Sequence, residues 1–247
     1  MSGRGAERIL DALEWFATTT APVTYTEFVL ALDVPKSSGL LLLKLLVKRN
    51  YVERLPDNRY RLVRLPGESV EGAASWGTLV RLADRHLSEA VASVGESGFI
   101  AVLEAGRIRY LNKILPQREI RYDRDITPTR LPHQVASGQV FLADFGPAAL
   151  DEYGQEVGLS DAEQASLEAL LEVVRRDGVA VNLNGIVEGA AGAAAAVRDA
   201  DGRVIAAVNI SGPRERFLAN LDAVKAAVVS VGRVVTAEVA HRTRKSM

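Results

Sequence analysis

The chain has 247 residues, 48% hydrophobic content and a formal net charge of −1, which is enough apolar material for one large or two smaller cores. It has no cysteine, so disulfides, thiol redox sensing, thiolate metal sites and a cysteine nucleophile are excluded. No charged leader precedes an apolar stretch, and no uncharged apolar run is long enough to span a bilayer, so a cytoplasmic location without membrane association is expected.

In chain order, Thr24 followed three residues later by Glu27 has the spacing of a capping box, predicting a helix through Phe28, Leu30, Ala31 and Leu32 to Asp33. Pro35 opens a second helix, because a first-turn position does not need the missing N–H. In that helix Gly39, Leu42, Leu43 and Leu46 recur at the spacing of one buried face. Ser37, Ser38, Leu41, Lys44 and Lys48 fall on the opposite side, where hydroxyls can bond phosphates or base edges and lysines add sequence-blind attraction. After Asn50 the period changes. Tyr51 to Leu55 and Arg59 to Leu62 flank Pro56-Asp57-Asn58, a hairpin signal with Arg54, Arg59 and Arg61 on or near it. Helix, turn, helix and hairpin together can seat one helix in a major groove and lay a wing on the adjacent backbone. A small packed domain with no DNA partner is the alternative that these residues leave open.

Pro66-Gly67-Glu68-Ser69 breaks the pattern and marks a link running through Gly72. Toward Val94 the chain turns helical, with Leu79, Leu82, Ala83 and Leu87 on one face and Val80 and Val91 alongside. Beyond Glu96 a mixed sheet with helices is expected. Phe99 to Leu103 and Ile108 to Leu111 form a hairpin, and Leu159 to Arg176 is a helix started by Ser160 and ended by Asp177-Gly178. Ala194 to Val197 and Val204 to Ile210 are neighbouring buried strands, and Leu221 to Val239 is a closing helix. The fold class is therefore α+β.

Two features suggest a ligand site. If Gln139 to Phe145 is helical, the amides near Ser137 present partial positive charge to a carboxylate, or else Ser137 merely caps the helix. Asn209 and Ser211, one residue apart in a strand, share a face, where they bond a polar ligand, each other or the loop backbone.

From Arg8 onward the chain resembles the IclR family of bacterial transcriptional regulators. The likeness runs through Ile9-Leu10-Asp11-Ala12-Leu13, Pro35-Lys36-Ser37-Ser38, Lys44-Leu45-Leu46, Tyr51-Val52 and Tyr60-Arg61-Leu62. It continues through Ala136-Ser137-Gly138-Gln139, Asp177-Gly178-Val179-Ala180-Val181, Ala196-Val197-Arg198-Asp199 and Asn209-Ile210-Ser211-Gly212-Pro213. The resemblance implies a winged helix-turn-helix over residues 1–66, an interdomain linker helix over 67–78, and a GAF-like α/β effector-binding and oligomerisation domain over 79–247. It implies double-stranded operator DNA, a small-molecule effector and a homodimer or dimer of dimers as partners. The DNA-contact set is then Thr24, Lys36, Ser37, Ser38, Leu41, Lys44 and Arg59, and the effector set carried over from the family is Ala136, Ser137, Asn182, Gly192, Asn209 and Ser211.

Charge is partitioned accordingly. Residues 1–66 hold ten Lys and Arg against seven Asp and Glu, and the remainder 20 against 24, as suits a basic head on an acidic body. Family members often carry an acidic residue where Asn182 sits and a cysteine where Gly192 sits. The pocket is therefore expected to be roomier and less acidic, suited to an aromatic or branched carboxylic compound rather than a two- or three-carbon acid. Many relatives place an arginine where Leu41 sits, so either sequence preference is altered or the chain is a metabolite-binding or scaffold protein that has lost specific DNA binding. No enzyme, cofactor or metal is expected. His86, His133 and His241 are scattered, no H-E-x-x-H, G-x-S-x-G or P-loop occurs, and Arg121, Asp123, Arg124 and Asp125 alternate as on a solvated face.

Overall fold

A computed structural model describes residues 4–19, 21–63 and 76–244. The chain divides into two compact units, Met1–Thr78 and Leu79–Met247. Most of the expected linker, residues 67–75, lies outside the described residues.

The first unit comprises α1 (Arg4–Thr18), α2 (Tyr25–Ala31), α3 (Lys36–Lys48), β1 (Val52–Arg54) and β2 (Tyr60–Leu62). Helix α1 has no counterpart among the expected elements. Its Ala12, Leu13 and Phe16 pack with Phe28, Leu43, Leu46, Val52, Tyr60 and Leu62 in one core. Thr24 caps α2 as the spacing predicts, accepting from the Glu27 amide while the Glu27 carboxylate accepts from the Thr24 amide at 2.6 Å. Pro35 is the residue before the helix rather than within its first turn. Its extended ψ of 143° directs the chain into α3, and its carbonyl accepts the Gly39 amide at 2.9 Å. At Gly39 a Cβ would stand 2.5 Å from Val29 Cγ2, so the absent side chain lets α2 and α3 approach closely. The hairpin pairs Val52 with Leu62, and Tyr60 exchanges both backbone hydrogen bonds with Val23, which adds a third short edge.

The second unit is built on five strands: β3 (Ser97–Glu104), β4 (Arg107–Tyr110), β5 (Ala180–Asn182), β6 (Ala190–Arg198) and β7 (Val204–Pro213). Their order is β4-β3-β7-β6-β5. Every pairing is antiparallel, so the expectation of a mixed sheet is corrected. The helices are α4 (Trp76–Val94), α5 (Ala136–Leu142), α6 (Pro147–Val157), α7 (Asp161–Asp177), α8 (Arg214–Ala219) and α9 (Leu221–Arg244). Side chains alternate between faces along each strand. One face carries Phe99, Ala101, Ala194 and Ala207, which pack with Val140 and Phe141 of α5 and Val174 of α7. On the other, Leu87 and Val91 of α4 close on Gly98, and Gly232 of α9 lies against Ala195 and Ala196. None of the described helices is long and apolar enough to cross a membrane.

Helix α5 runs from Ala136 to Leu142, three residues earlier than the expected Gln139 to Phe145, and all seven of its residues are buried. Gly138 explains its depth, since a Cβ there would lie 2.2 Å from the Pro132 carbonyl oxygen. Helix α7 starts at a capping box between Ser160 and Glu163 and ends at left-handed Gly178, φ 69°.

Candidate functional site

The first unit presents one face of α3. Gly39, Leu43 and Leu46 are buried, whereas Lys36, Ser37, Lys44 and Lys48 are exposed and Ser38 is half-buried. Leu41 is 68% exposed on the same side, with Leu40 and Leu45 also exposed. Tyr25 fixes the start of α3 by donating its hydroxyl to the Lys36 carbonyl at 2.6 Å.

Two candidates are already engaged within the unit. The Thr24 side chain is committed to its capping box. Arg59 lies against Asp57, with Nε to Oδ2 at 2.7 Å, and this hydrogen bond holds the Asp57 carboxyl below the usual carboxylate range. Arg61 pairs with Glu53, and Arg54 donates to Asn58 Oδ1 at 2.6 Å. The basic tip of the wing is thus partly neutralised by its own acids, which residue counting could not show.

In the second unit, strand register assembles the other candidates. Ser97, Ser211, Gly192 and Asn182 are successive partners across β3, β7, β6 and β5, and the neighbouring row is Phe99, Asn209, Ala194 and Ala180. Ala136, Asn182, Gly192, Asn209 and Ser211 all line one cavity of about 40 Å³. Asn209 Nδ2 donates to Ser211 Oγ at 2.9 Å, so these two bond each other. Asn182 Nδ2 donates to the Gln134 carbonyl at 2.8 Å, tying β5 to the chain that enters α5.

Ser137 is set apart from the other five. It does not cap α5, whose N-cap is Val135 and has no side-chain cap bond. Fully buried, its hydroxyl lies 2.9 Å from the Tyr110 hydroxyl, and Tyr110 is the residue that lines the cavity. Burial pushes the Tyr110 phenol above its ordinary pKa, against the opposing charge of Arg124. Gly192 leaves no room at its own position, because a Cβ there would meet Ser211 Oγ at 2.7 Å. The space expected from the missing side chain is held by that serine.

The wall that residue reading missed comes from the irregular segment 111–131. Tyr122, Arg124 and Arg130 line the cavity with Tyr110. Arg124 does not belong to a solvated face. Its guanidinium carbon sits 4.2 Å from the Tyr110 ring centroid, and its Nε and Nη2 are buried without a hydrogen-bond partner. The segment is tethered by two residues from outside it and one from within. Ser97 Oγ donates to the Tyr122 carbonyl, Arg216 Nη1 donates to the Ile120 carbonyl at 3.1 Å, and Lys113 Nζ donates to the Arg124 carbonyl at 3.2 Å. Arg216 is itself held by the buried carboxylate of Glu96. With neither helical nor strand period, the segment offers no pattern that marks its inward residues.

Two of the histidines are engaged elsewhere: His86 Nε2 lies 3.0 Å from Glu238 Oε1, and His133 Nδ1 lies 2.7 Å from the Tyr153 hydroxyl. Among the described residues no group of three or more His, Asp or Glu is placed to hold a metal ion.

Residues 73–237 match the model of the bacterial transcriptional regulator IclR C-terminal domain, and residues 5–56 match the IclR helix-turn-helix domain. The HTH-type transcriptional regulator XynR of Escherichia coli (strain K12) is 29% identical over 220 residues, covering 84% of this chain and 85% of that protein. The glycerol operon regulatory protein of Streptomyces griseus is 26% identical, covering 85% of each. Among solved structures, a transcriptional regulator of Rhodococcus sp. RHA1 superposes with a TM-score of 0.61 at 24% identity, over 96% of this chain and 98% of that one. An IclR homologue from Microbacterium hydrocarbonoxydans, solved with 4-hydroxybenzoate, superposes with a TM-score of 0.56 at 22% identity, over 94% and 99%. At these identities the solved structures establish the fold.

Proposed function

The chain belongs to the IclR family of bacterial transcriptional regulators, with a DNA-binding helix-turn-helix and an effector-binding C-terminal domain, and from this we propose that the cavity beside α5 receives a small organic acid whose binding alters operator affinity. One observation carries the assignment: five of the six candidate effector residues, drawn from α5, β5, β6 and β7, line the same cavity. The homologue complexed with 4-hydroxybenzoate supports an aromatic carboxylate as the compound class.

The DNA-binding head is assigned to residues 1–66, joined through 67–78 to the sensor at 79–247, and the active form is a homodimer or a dimer of dimers. Ser37, Ser38 and Lys44 of α3 meet the groove, with Lys36 and Arg59 on the flanking backbone. A ligand changes such a system only by binding its conformations unequally, so effector binding acts by shifting the population of DNA-competent arrangements.

The test is a mobility-shift assay on DNA flanking the chain's own gene, with Ser37→Ala and Lys44→Ala variants and a salt series. Affinity is expected to fall with salt and in both variants. Unchanged binding in both overturns the assignment of α3. Exposed Leu41 on the reading face supports a second reading, a metabolite-binding descendant that has lost specific operator binding. Equal affinity for flanking and unrelated DNA decides for it.

A further inference from the structure

We propose that Arg124 is the anion anchor of the cavity, gripping the ligand's carboxylate through the Nε–Nη2 edge of its guanidinium. The inference rests on reading the cavity as the effector site, but its evidence is separate. Among the described residues, two arginines, Arg124 and Arg130, line the cavity, and no aspartate or glutamate does. A charged donor buried without an acceptor is costly, so a cavity arginine left with two such nitrogens is matched to an acceptor that arrives from outside. Nε and Nη2 form the side-on edge of the fork, whose two parallel N–H bonds fit the two oxygens of a carboxylate.

The neighbouring acids do not compete. Asp123 pairs with Lys113, and Asp125 accepts from the Thr127 amide at 2.9 Å, which holds its carboxyl below the ordinary range. The guanidinium rests on the face of Tyr110, and its Nε and Nη2 make no hydrogen bond there. Tyr110 is held in turn by Ser137. Ser137 is thereby a positioning residue acting through Tyr110 and Arg124, which explains its burial behind the wall. At the far side Asn209 and Ser211, already joined to each other, offer an amide oxygen and a hydroxyl proton to the other end of the ligand. The class selected is an organic monocarboxylate with an apolar body, lying beside Tyr122 and Val187.

The experiment uses the full chain and two probes of nearly equal shape, benzoate and uncharged benzamide, measured by calorimetry and thermal shift. The variants are Arg124→Gln, Arg124→Lys and Asn209→Ala. Benzoate is expected to bind the parent more tightly than benzamide and to lose about tenfold or more in Arg124→Gln, with partial recovery in Arg124→Lys. Benzamide binding is expected to fall much less than benzoate binding in Arg124→Gln, because an uncharged amide forms no ion pair with the guanidinium. Equal benzoate binding by parent and Arg124→Gln, no carboxylate preference in the parent, or no benzoate binding at all each overturns the anchor. The cavity reading fails separately, when Asn209→Ala alters the binding of neither probe.

Discussion

Gly192 and Ser211 face each other across β6 and β7, and a Cβ added to the glycine would lie 2.7 Å from the serine Oγ and 3.5 Å from Asn209 Oδ1. The smallest possible side chain at 192 therefore pushes on the polar pair at the cavity floor. Gly192→Ala is expected to cost about 1–3 kcal/mol of overpacking and to weaken effector binding beyond that loss. Thermal melts with and without benzoate check both effects. A variant that melts and binds like the parent would show that Ser211 swings aside without consequence.

Leu41 is 68% exposed on the face of α3 that carries Ser37 and Lys44, so a longer side chain there displaces no packing. Leu41→Arg is expected to leave the melting temperature unchanged and to tighten DNA binding. If the new guanidinium reaches a phosphate, the slope of log affinity against log salt steepens by about one. Fluorescence anisotropy on labelled flanking DNA over a salt series measures that slope.

The wing makes the complementary case. Arg59 is paired with Asp57 inside the hairpin turn, and such an exposed pair is worth little to stability. Asp57→Asn frees the cation, so DNA affinity should rise at low salt and converge with the parent at high salt, with almost no change in melting. Affinity that falls instead would mean that the ion pair shapes the turn rather than masking charge.

Acid should loosen both units through their helix starts. The carboxyls of Glu27 and Glu163 are held below the usual glutamate range, the first chiefly by the Thr24 backbone amide and the second by the Ser160 hydroxyl. A carboxyl with a depressed folded-state pKa stabilises above its unfolded value of about 4.5, and that contribution is lost as pH falls through the folded value. Melting temperature should thus decline as pH falls from about 4.5 and level off below the folded values. Glu27→Gln with Glu163→Gln should flatten the decline, and melts from neutral pH downward show whether it does.

Much of this architecture was legible in the residues because it depends on local rules. Thr24 with Glu27, Ser160 at the start of α7, and Gly39, Leu43 and Leu46 of the α3 face each follow from spacing and stand in the structure as read, whereas Leu42 of that face is half-buried. The cavity row was partly legible, since Asn209 and Ser211 must share a strand face. What spacing could not supply was long-range. Register set Gly192 against Ser211, the irregular stretch 111–131 turned Arg124 inward, and Ser137 was drawn to Tyr110 instead of capping its helix. Arg124 was hidden by its neighbours, because alternation with Asp123 and Asp125 imitates a solvated surface while only one of the three side chains lines the cavity.

Gly138 decides how α5 is seated. A Cβ at Gly138 would fall 2.2 Å from the Pro132 carbonyl oxygen and 2.4 Å from its Cα, both backbone atoms that cannot rotate away. Gly138→Ala must therefore push the whole of α5, moving Val135 and Ala136 at the cavity wall, at a cost of about 1–3 kcal/mol or more. Gly146, which precedes α6 with nothing within 4 Å of its built Cβ and an ordinary φ of −72°, is the control. Gly146→Ala should melt within a degree or so of the parent and retain its ligand shift. Gly138→Ala should melt earlier and lose the benzoate shift, while its ligand-free mobility shift on DNA persists below the melting point. If Gly138→Ala keeps both stability and benzoate response, the contact of α5 with Pro132 does not shape the cavity.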